Sequence, residues 1–163
     1  PSQYNMFIAI GYQNINILRE EKCYQARMKG YRLISYIHPS SQLPAETCYG
    51  DNCFFMSNLN IHPFVSFGNN VFVWSGCTIG HHSSISDNCW ITSDAHIAGS
   101  VTIDNNCFIA INSTIVNSIT VSSHCFIGSN SLITKSTQSH EVYISNRTSP
   151  HRLNSIDFFR LIS

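Results

Sequence analysis

Ile79, Ile85, Ile91, Ile97, Ile103, Ile109 and Ile115 stand at every sixth position of the chain. The series runs back through Val73, Phe67, Ile61, Phe55, Tyr49 and Leu43 to Ile37, and forward through Val121 and Ile127 to Ile133. Seventeen consecutive sixth positions are thus aliphatic or aromatic, and the next step, Ser139, ends the run. In a chain that is 43% apolar, chance produces this in about one register per million. A period of six fits neither helical spacing nor simple strand alternation, so it marks a repeat architecture.

The position two before each repeat residue is mostly small or β-branched: Cys77, Ser83, Cys89, Ala95, Val101, Cys107. Each hexad therefore offers one large and one smaller inward side chain. The other positions are mostly polar, Gly or Asn. Ile79-Gly80, Ile127-Gly128, Phe67-Gly68 and Tyr49-Gly50 carry a Gly after the large residue. The pattern resembles the hexapeptide repeat of the left-handed parallel β-helix. That resemblance implies three hexads per triangular coil and coils stacked at strand spacing, about 4.8 Å. Five of the seven cysteines, Cys53, Cys77, Cys89, Cys107 and Cys125, fall on the small inward position. They read as reduced core thiols rather than disulfides or nucleophiles, which favours a reducing, cytoplasmic compartment.

The flanks are different. "YNMFIAIGY" predicts a buried strand ending in a Gly turn, "NINILREEKCYQARMKGY" a helix with Ile15, Leu18, Cys23 and Ala26 inward and Gly30 as its stop, and "RLISYI" a second strand. Strand, helix and strand make a βαβ unit. One such unit cannot cover both faces of a parallel sheet. Residues 1–38 therefore read as the end of a larger α/β domain, 39–138 as the β-helix, and 139–163 as a capping helix or partner-contacting tail. The 163 residues carry zero formal net charge and only 11% charged side chains, which disfavours nucleic acid as a partner. No apolar run approaches the roughly 20 residues of a membrane span.

Several segments narrow the resemblance: "MFIAIGY", "GYRLISYIHP", "WSGCTIGHHSSI", "NNCFIAINSTI" and "CFIGSNSLITK". They are similar to the sugar acetyltransferases of the sialic-acid O-acetyltransferase and bacillosamine, perosamine and viosamine N-acetyltransferase type. The resemblance implies a nucleotide-sugar-binding α/β unit ahead of the β-helix, acetyl-CoA as co-substrate and a homotrimer with sites between subunits. It places the catalytic base at His81 and the backbone oxyanion donor at Gly99, eighteen residues on. In several relatives an acidic residue follows the base and holds it. Here His82 stands there, as a support for His81, and the group that orients His81 is open between Asp94 and a neighbouring subunit. Acetyl-CoA contacts fall by match on Ile111, Asn112, Gly128 and Ser129, with Lys135 for phosphate. The family's closing "V-Y-x-G-x-P-A" appears as "VYISNRT", with Ser145 and Arg147 replacing Gly and Pro.

Register points to His81 independently, because it lies two after the inward Ile79 and so faces outward. A His suits proton abstraction near neutral pH. His96, one before Ile97, is a candidate substrate contact, as are Gly11 and Tyr12 after the first strand. A zinc site from Cys77, His81, His82 and Cys89 fails, because the cysteines point inward and the histidines outward. No metal is expected. The function expected is N-acetylation of a nucleotide-linked 4-amino-6-deoxyhexose for surface glycans. Sugar O-acetylation and a non-catalytic β-helix scaffold are the alternatives.

Overall fold

The inward residues of the repeat lie in strands of two residues, such as Thr78–Ile79, Ser84–Ile85 and Trp90–Ile91, joined by four-residue turns. The structure, a computed structural model, describes residues 3–162. Pro1, Ser2 and Ser163, the ends of the two flanking segments, lie outside the described residues. Each strand pairs in parallel with those eighteen residues away: Ile79 with Ile61 and Ile97, Ile85 with Phe67 and Ile103, Ile91 with Val73 and Ile109. Three hexads therefore close one coil. The stack has three faces, of seven, five and four strands. The backbone of each coil bonds the next, as in Thr78 N to Ala95 O (3.0 Å) and Gly80 N to Ile97 O (2.8 Å). The fold is a mainly β, parallel β-helix.

The large inward residues form one continuous core, with Ile79, Ile91, Ile103, Ile109 and Ile115 fully buried. Each is worth roughly 2 kcal/mol of apolar transfer. Tyr49 is the exception, at 45% exposed. It sits in the first coil, where no coil lies beneath to cover it, and its ring packs edge-on to Phe55. The five core cysteines are buried free thiols. Four of them reach a carbonyl fifteen residues on: Cys53 to Gly68, Cys77 to Thr92, Cys89 to Asp104 and Cys107 to Ser122, at 3.0–3.2 Å. Burial pushes the Cys53 thiol up to about 11 and Cys77 to about 12, so both stay protonated near neutral pH.

The N-terminal segment forms the expected βαβ unit. Asn5–Met6 pairs in parallel with Arg32–Leu33 across the helix α1, Ile17–Met28. Gly30 ends α1 at φ 81°, as the sequence predicts. Both expected strands are shorter than their apolar runs. "RLISYI" divides, and Tyr36–Ile37 joins the seven-stranded face of the β-helix instead. Phe7 leaves its strand after Met6 to stack on Phe72, at 5.6 Å between centroids. Phe72 belongs to an outward aromatic ladder on that face, Tyr36, Phe54, Phe72, Trp90, Phe108 and Phe126, spaced by eighteen. This ladder is what the N-terminal segment covers.

α1 buries Cys23 and Ala26, as expected, but its third buried residue is Arg19. The guanidinium lies over the Phe72 ring (4.4 Å) and the Trp90 ring (5.1 Å). It donates to Asn70 Oδ1 (2.8 Å), Asn16 Oδ1 (3.0 Å) and the carbonyl of Asn70 (3.1 Å). Burial lowers its pKa to about 10, so it remains a cation at neutral pH. No carboxylate pairs with it among the described residues.

At the other end, Val142–Tyr143 pairs with Phe126–Ile127 and accepts the last N–H groups of the seven-stranded face. The helix α2, Ser155–Ile162, forms but buries none of its residues. The expected cap therefore does not cover the coil end. Val142–Tyr143 is itself the last strand of the seven-stranded face. Among the described residues no helix is long and apolar enough to cross a membrane.

Arg19→Met leaves several buried acceptors without donors and should lower the unfolding free energy in urea by about 3 kcal/mol. Arg27→Ala, which removes only an exposed 3.9 Å contact with Asp51, should cost less than about 0.5 kcal/mol. Equal effects would refute the anchoring role of Arg19.

Candidate active site

The turn Gly80–Ser83 joins the five-stranded face to the four-stranded face, and its tip is His81 and His82. Both are exposed. His82 is the left-handed residue of the turn, at φ 57°. His81 Nδ1 lies 3.1 Å from His82 Nδ1, with the two rings nearly perpendicular at 84°. The other neighbour of His82 is Phe64, eighteen residues before it, at 5.0 Å between ring centroids. Asp94 does not orient His81. It lies in the turn between Trp90–Ile91 and His96–Ile97, at a different edge of the prism. His82 takes that place instead.

Gly99 stacks on His81 one coil along, as the register predicts. A Cβ at position 99 would sit 2.8 Å from both Cε1 and Nε2 of His81. The imidazole therefore lies directly against the Gly99 backbone, at a distance that only glycine permits. Gly80 is tighter still, because its Cβ would fall 2.5 Å from Ala98 C and from Gly99 N. On either side, Ala98 N donates to Ile115 O and Ser100 N to His81 O. Among the described residues the Gly99 N–H takes no part in this bonding between coils. An exposed imidazole thus stands beside a backbone N–H with no intramolecular task.

The remaining candidates are dispersed. His96 is exposed on the outer side of the five-stranded face, in register between Thr78 and Thr114. Ile111 and Asn112 lie in a turn at the other edge of that face, where the seven-stranded face ends. Gly128 and Ser129 lie on the same edge one coil further. Ile111 is 48% exposed and Asn112 Nδ2 donates to Asn130 Oδ1. Ser145, in "VYISNRT", donates to the Ser129 carbonyl (2.7 Å). Lys135 is exposed just beyond Leu132–Ile133. Gly11 and Tyr12 lie over the aromatic ladder. The Gly11 carbonyl accepts from Arg19, and the Tyr12 ring packs against Phe108 (4.7 Å) and Trp90 (5.4 Å). Within one chain, then, His81, His82 and Gly99 are brought together, the acetyl-CoA candidates Ile111, Asn112, Gly128 and Ser129 occupy a separate edge, and Lys135, which follows the last strand of the five-stranded face, lies on the His81 edge. Among the described residues no three His, Cys, Asp or Glu side chains gather as a metal site.

Two contributors escape a reading by sixes: Phe64, which supports His82, and Arg19. Stepping back by eighteen from His82 finds the first. Nothing in the pattern of α1 singles out the second.

No protein-family model matches the chain, and no curated protein matches it in sequence. Solved structures do match. The acetyltransferase domain of PglB from Neisseria gonorrhoeae aligns with TM-score 0.82 at 20% identity, over 87% of this chain and 68% of that one. A variant of perosamine N-acetyltransferase from Caulobacter crescentus, in complex with CoA and GDP-perosamine, aligns with TM-score 0.81 at 20% identity, over 85% and 64%. WeeI from Acinetobacter baumannii aligns with TM-score 0.58 at 14% identity, over 78% and 63%. The chain thus spans about two thirds of the length of the structures it resembles, and it shares their fold.

The two glycines separate sharply in what they meet. Gly80→Ala drives a methyl into backbone and should cost about 2 kcal/mol or more in urea unfolding. Gly99→Ala meets only the exposed His81 ring, which can swing away. It should cost under about 1 kcal/mol while breaking the His81–His82 contact, read from the imidazole nitrogen shifts. Unchanged shifts in Gly99→Ala would contradict the packing described.

Proposed function

We propose that the chain is an acetyl-CoA-dependent acetyltransferase that N-acetylates a nucleotide-linked 4-amino-6-deoxyhexose in surface-glycan synthesis. The observation that carries this reading is the exposed His81 imidazole held against the Gly99 backbone, next to an uncommitted N–H. The likeness to perosamine N-acetyltransferase, bound with CoA and GDP-perosamine, favours an amine acceptor over a hydroxyl.

His81 Nε2 takes a proton from the neutral sugar amine as its nitrogen bonds to the acetyl carbonyl carbon. The carbonyl oxygen gains charge, and the Gly99 N–H donates to it. Such a donor is worth roughly 3 kcal/mol in the transition state. The C–S bond then breaks, and the departing thiolate recovers the proton from His81. The products are the N-acetyl sugar and the CoA thiol. No covalent enzyme intermediate is needed, in keeping with the raised thiol pKa values of Cys53 and Cys77.

The edge carrying Ile111, Asn112, Gly128 and Ser129 holds acetyl-CoA, and Lys135, on the His81 edge, meets its phosphates from the facing copy. That edge is separated from His81 by the five-stranded face, so the site is completed between copies in a homotrimer. The His81 edge of one chain meets the Ile111 edge of the next, and His96, on the face between, reaches the substrate. Residues 1–38 are the end of a nucleotide-sugar-binding α/β domain, with Gly11 and Tyr12 on its substrate side. The free buried thiols suit a reducing cytoplasm.

Thiol release from acetyl-CoA, measured with a panel of nucleotide-linked amino sugars, tests this. Turnover is expected with at least one sugar, and His81→Ala should lower kcat/KM by about 10²–10⁴-fold. No turnover with any sugar, or undiminished turnover in His81→Ala, overturns the reading.

A further inference from the structure

We propose that His82 is a positioning residue that holds His81 in the tautomer protonated on Nδ1, leaving Nε2 bare to accept the substrate proton. This deepens the proposed function and rests on it. Two imidazole nitrogens 3.1 Å apart attract only when one proton lies between them. Two lone pairs, or two N–H groups, repel. His81 donates from Nδ1, His82 accepts at Nδ1 and keeps its own proton on Nε2. The proton that arrives on His81 Nε2 during turnover leaves this bond intact, because the imidazolium still donates from Nδ1.

Position 82 must be filled by a residue that tolerates a left-handed backbone, at φ 57°. Each turn places one residue in the left-handed region, where Asn and Gly fit best. At the edge between the four- and seven-stranded faces these are Asn52, Asn70, Asn88 and Asn106, then His124. At the edge carrying Ile111 they include Asn58, Gly76, Asn112 and Asn130. At the His81 edge they are Phe64, His82, Ser100 and Ser118, with no Asn among them. That whole edge lacks Asn, and histidines also take the left-handed position at His124 and His140 on another edge. What is particular to His82 is its contact with His81 Nδ1, with the Phe64 ring packed beside it at 5.0 Å between centroids. The residues stacked on the pair from adjacent coils, Pro63, Phe64, Gly99 and Ser100, carry no titratable group. His62 in the preceding turn and His96 on the neighbouring strand are the titratable residues of the adjoining elements.

The test is long-range proton–nitrogen correlation NMR on the unliganded protein, with kinetics of three variants. His81 should be protonated on Nδ1 in the parent. His82→Ala should shift it toward the Nε2–H form and lower kcat about tenfold with KM for acetyl-CoA unchanged. His82→Asn tolerates φ 57° and offers an acceptor oxygen, so it should restore the Nδ1–H form and recover most of the lost kcat. His82→Asp adds a negative charge that favours the imidazolium and should move the acid limb of kcat/KM up by about one pH unit. A parent His81 protonated on Nε2, or a tautomer unmoved in His82→Ala, overturns the proposal. The tautomer is read without substrate, so absent turnover with an Nδ1-protonated His81 refutes only the proposed function.

Discussion

Every structural relation in this protein depends on the closure of one coil in eighteen residues. The inter-coil bonds, such as Thr78 N to Ala95 O, require each strand to lie in register over the one eighteen residues on. The isoleucine column enforces that register. A slip of one residue would turn inward side chains out of the core. Any two residues eighteen apart are therefore neighbours. Gly99 lies against His81, His82 rests on Phe64, Asn52 bonds Asn70, and Phe54 packs on Phe72.

The same register explains why the site can be both rigid and exposed. The outward residues at the turns owe nothing to the core, and the backbone beneath them is bonded on both sides. An imidazole placed there is held by its own column rather than by burial. The seven-stranded face shows the opposite use of an outward column. Its aromatic rings are covered by Phe7, Tyr12 and Arg19. That cover docks the N-terminal segment onto the β-helix through a buried cation satisfied by oxygen acceptors and ring faces rather than by a carboxylate.

Much of this was legible in the sequence, because a repeat converts spacing into contact. The period of six located the core and the five buried cysteines, and the resemblance to the hexapeptide-repeat family supplied the eighteen-residue coil that sets Gly99 beside His81. What stayed hidden depends on contacts outside the repeat or on its ends. Arg19 reads as a solvated helix residue, since its acceptors on Asn70, Asn88 and Cys89 lie fifty or more residues away in sequence. Tyr49 matches the inward pattern, yet an end coil has one neighbour, so half its ring is open. α2 carries the apolar residues of a cap, but none of them is buried against the rest of this chain. His82 reads as a support for His81 from its place after the base, but neither its Nδ1-to-Nδ1 contact nor the Phe64 ring beside it follows from the loss of an acidic neighbour.

The proposed reaction centre is assembled from two different edges of the prism, one supplied by each of two copies. Subunit mixing tests this most directly. His81→Ala disables one edge, and Ile111→Arg, at an exposed position, blocks the other. Each variant alone should be inactive. Co-assembled in equal amounts, they should regain about a quarter of parent activity, the share of interfaces that pair two intact edges at random. Activity no greater than the sum of the two variants assayed separately would contradict it.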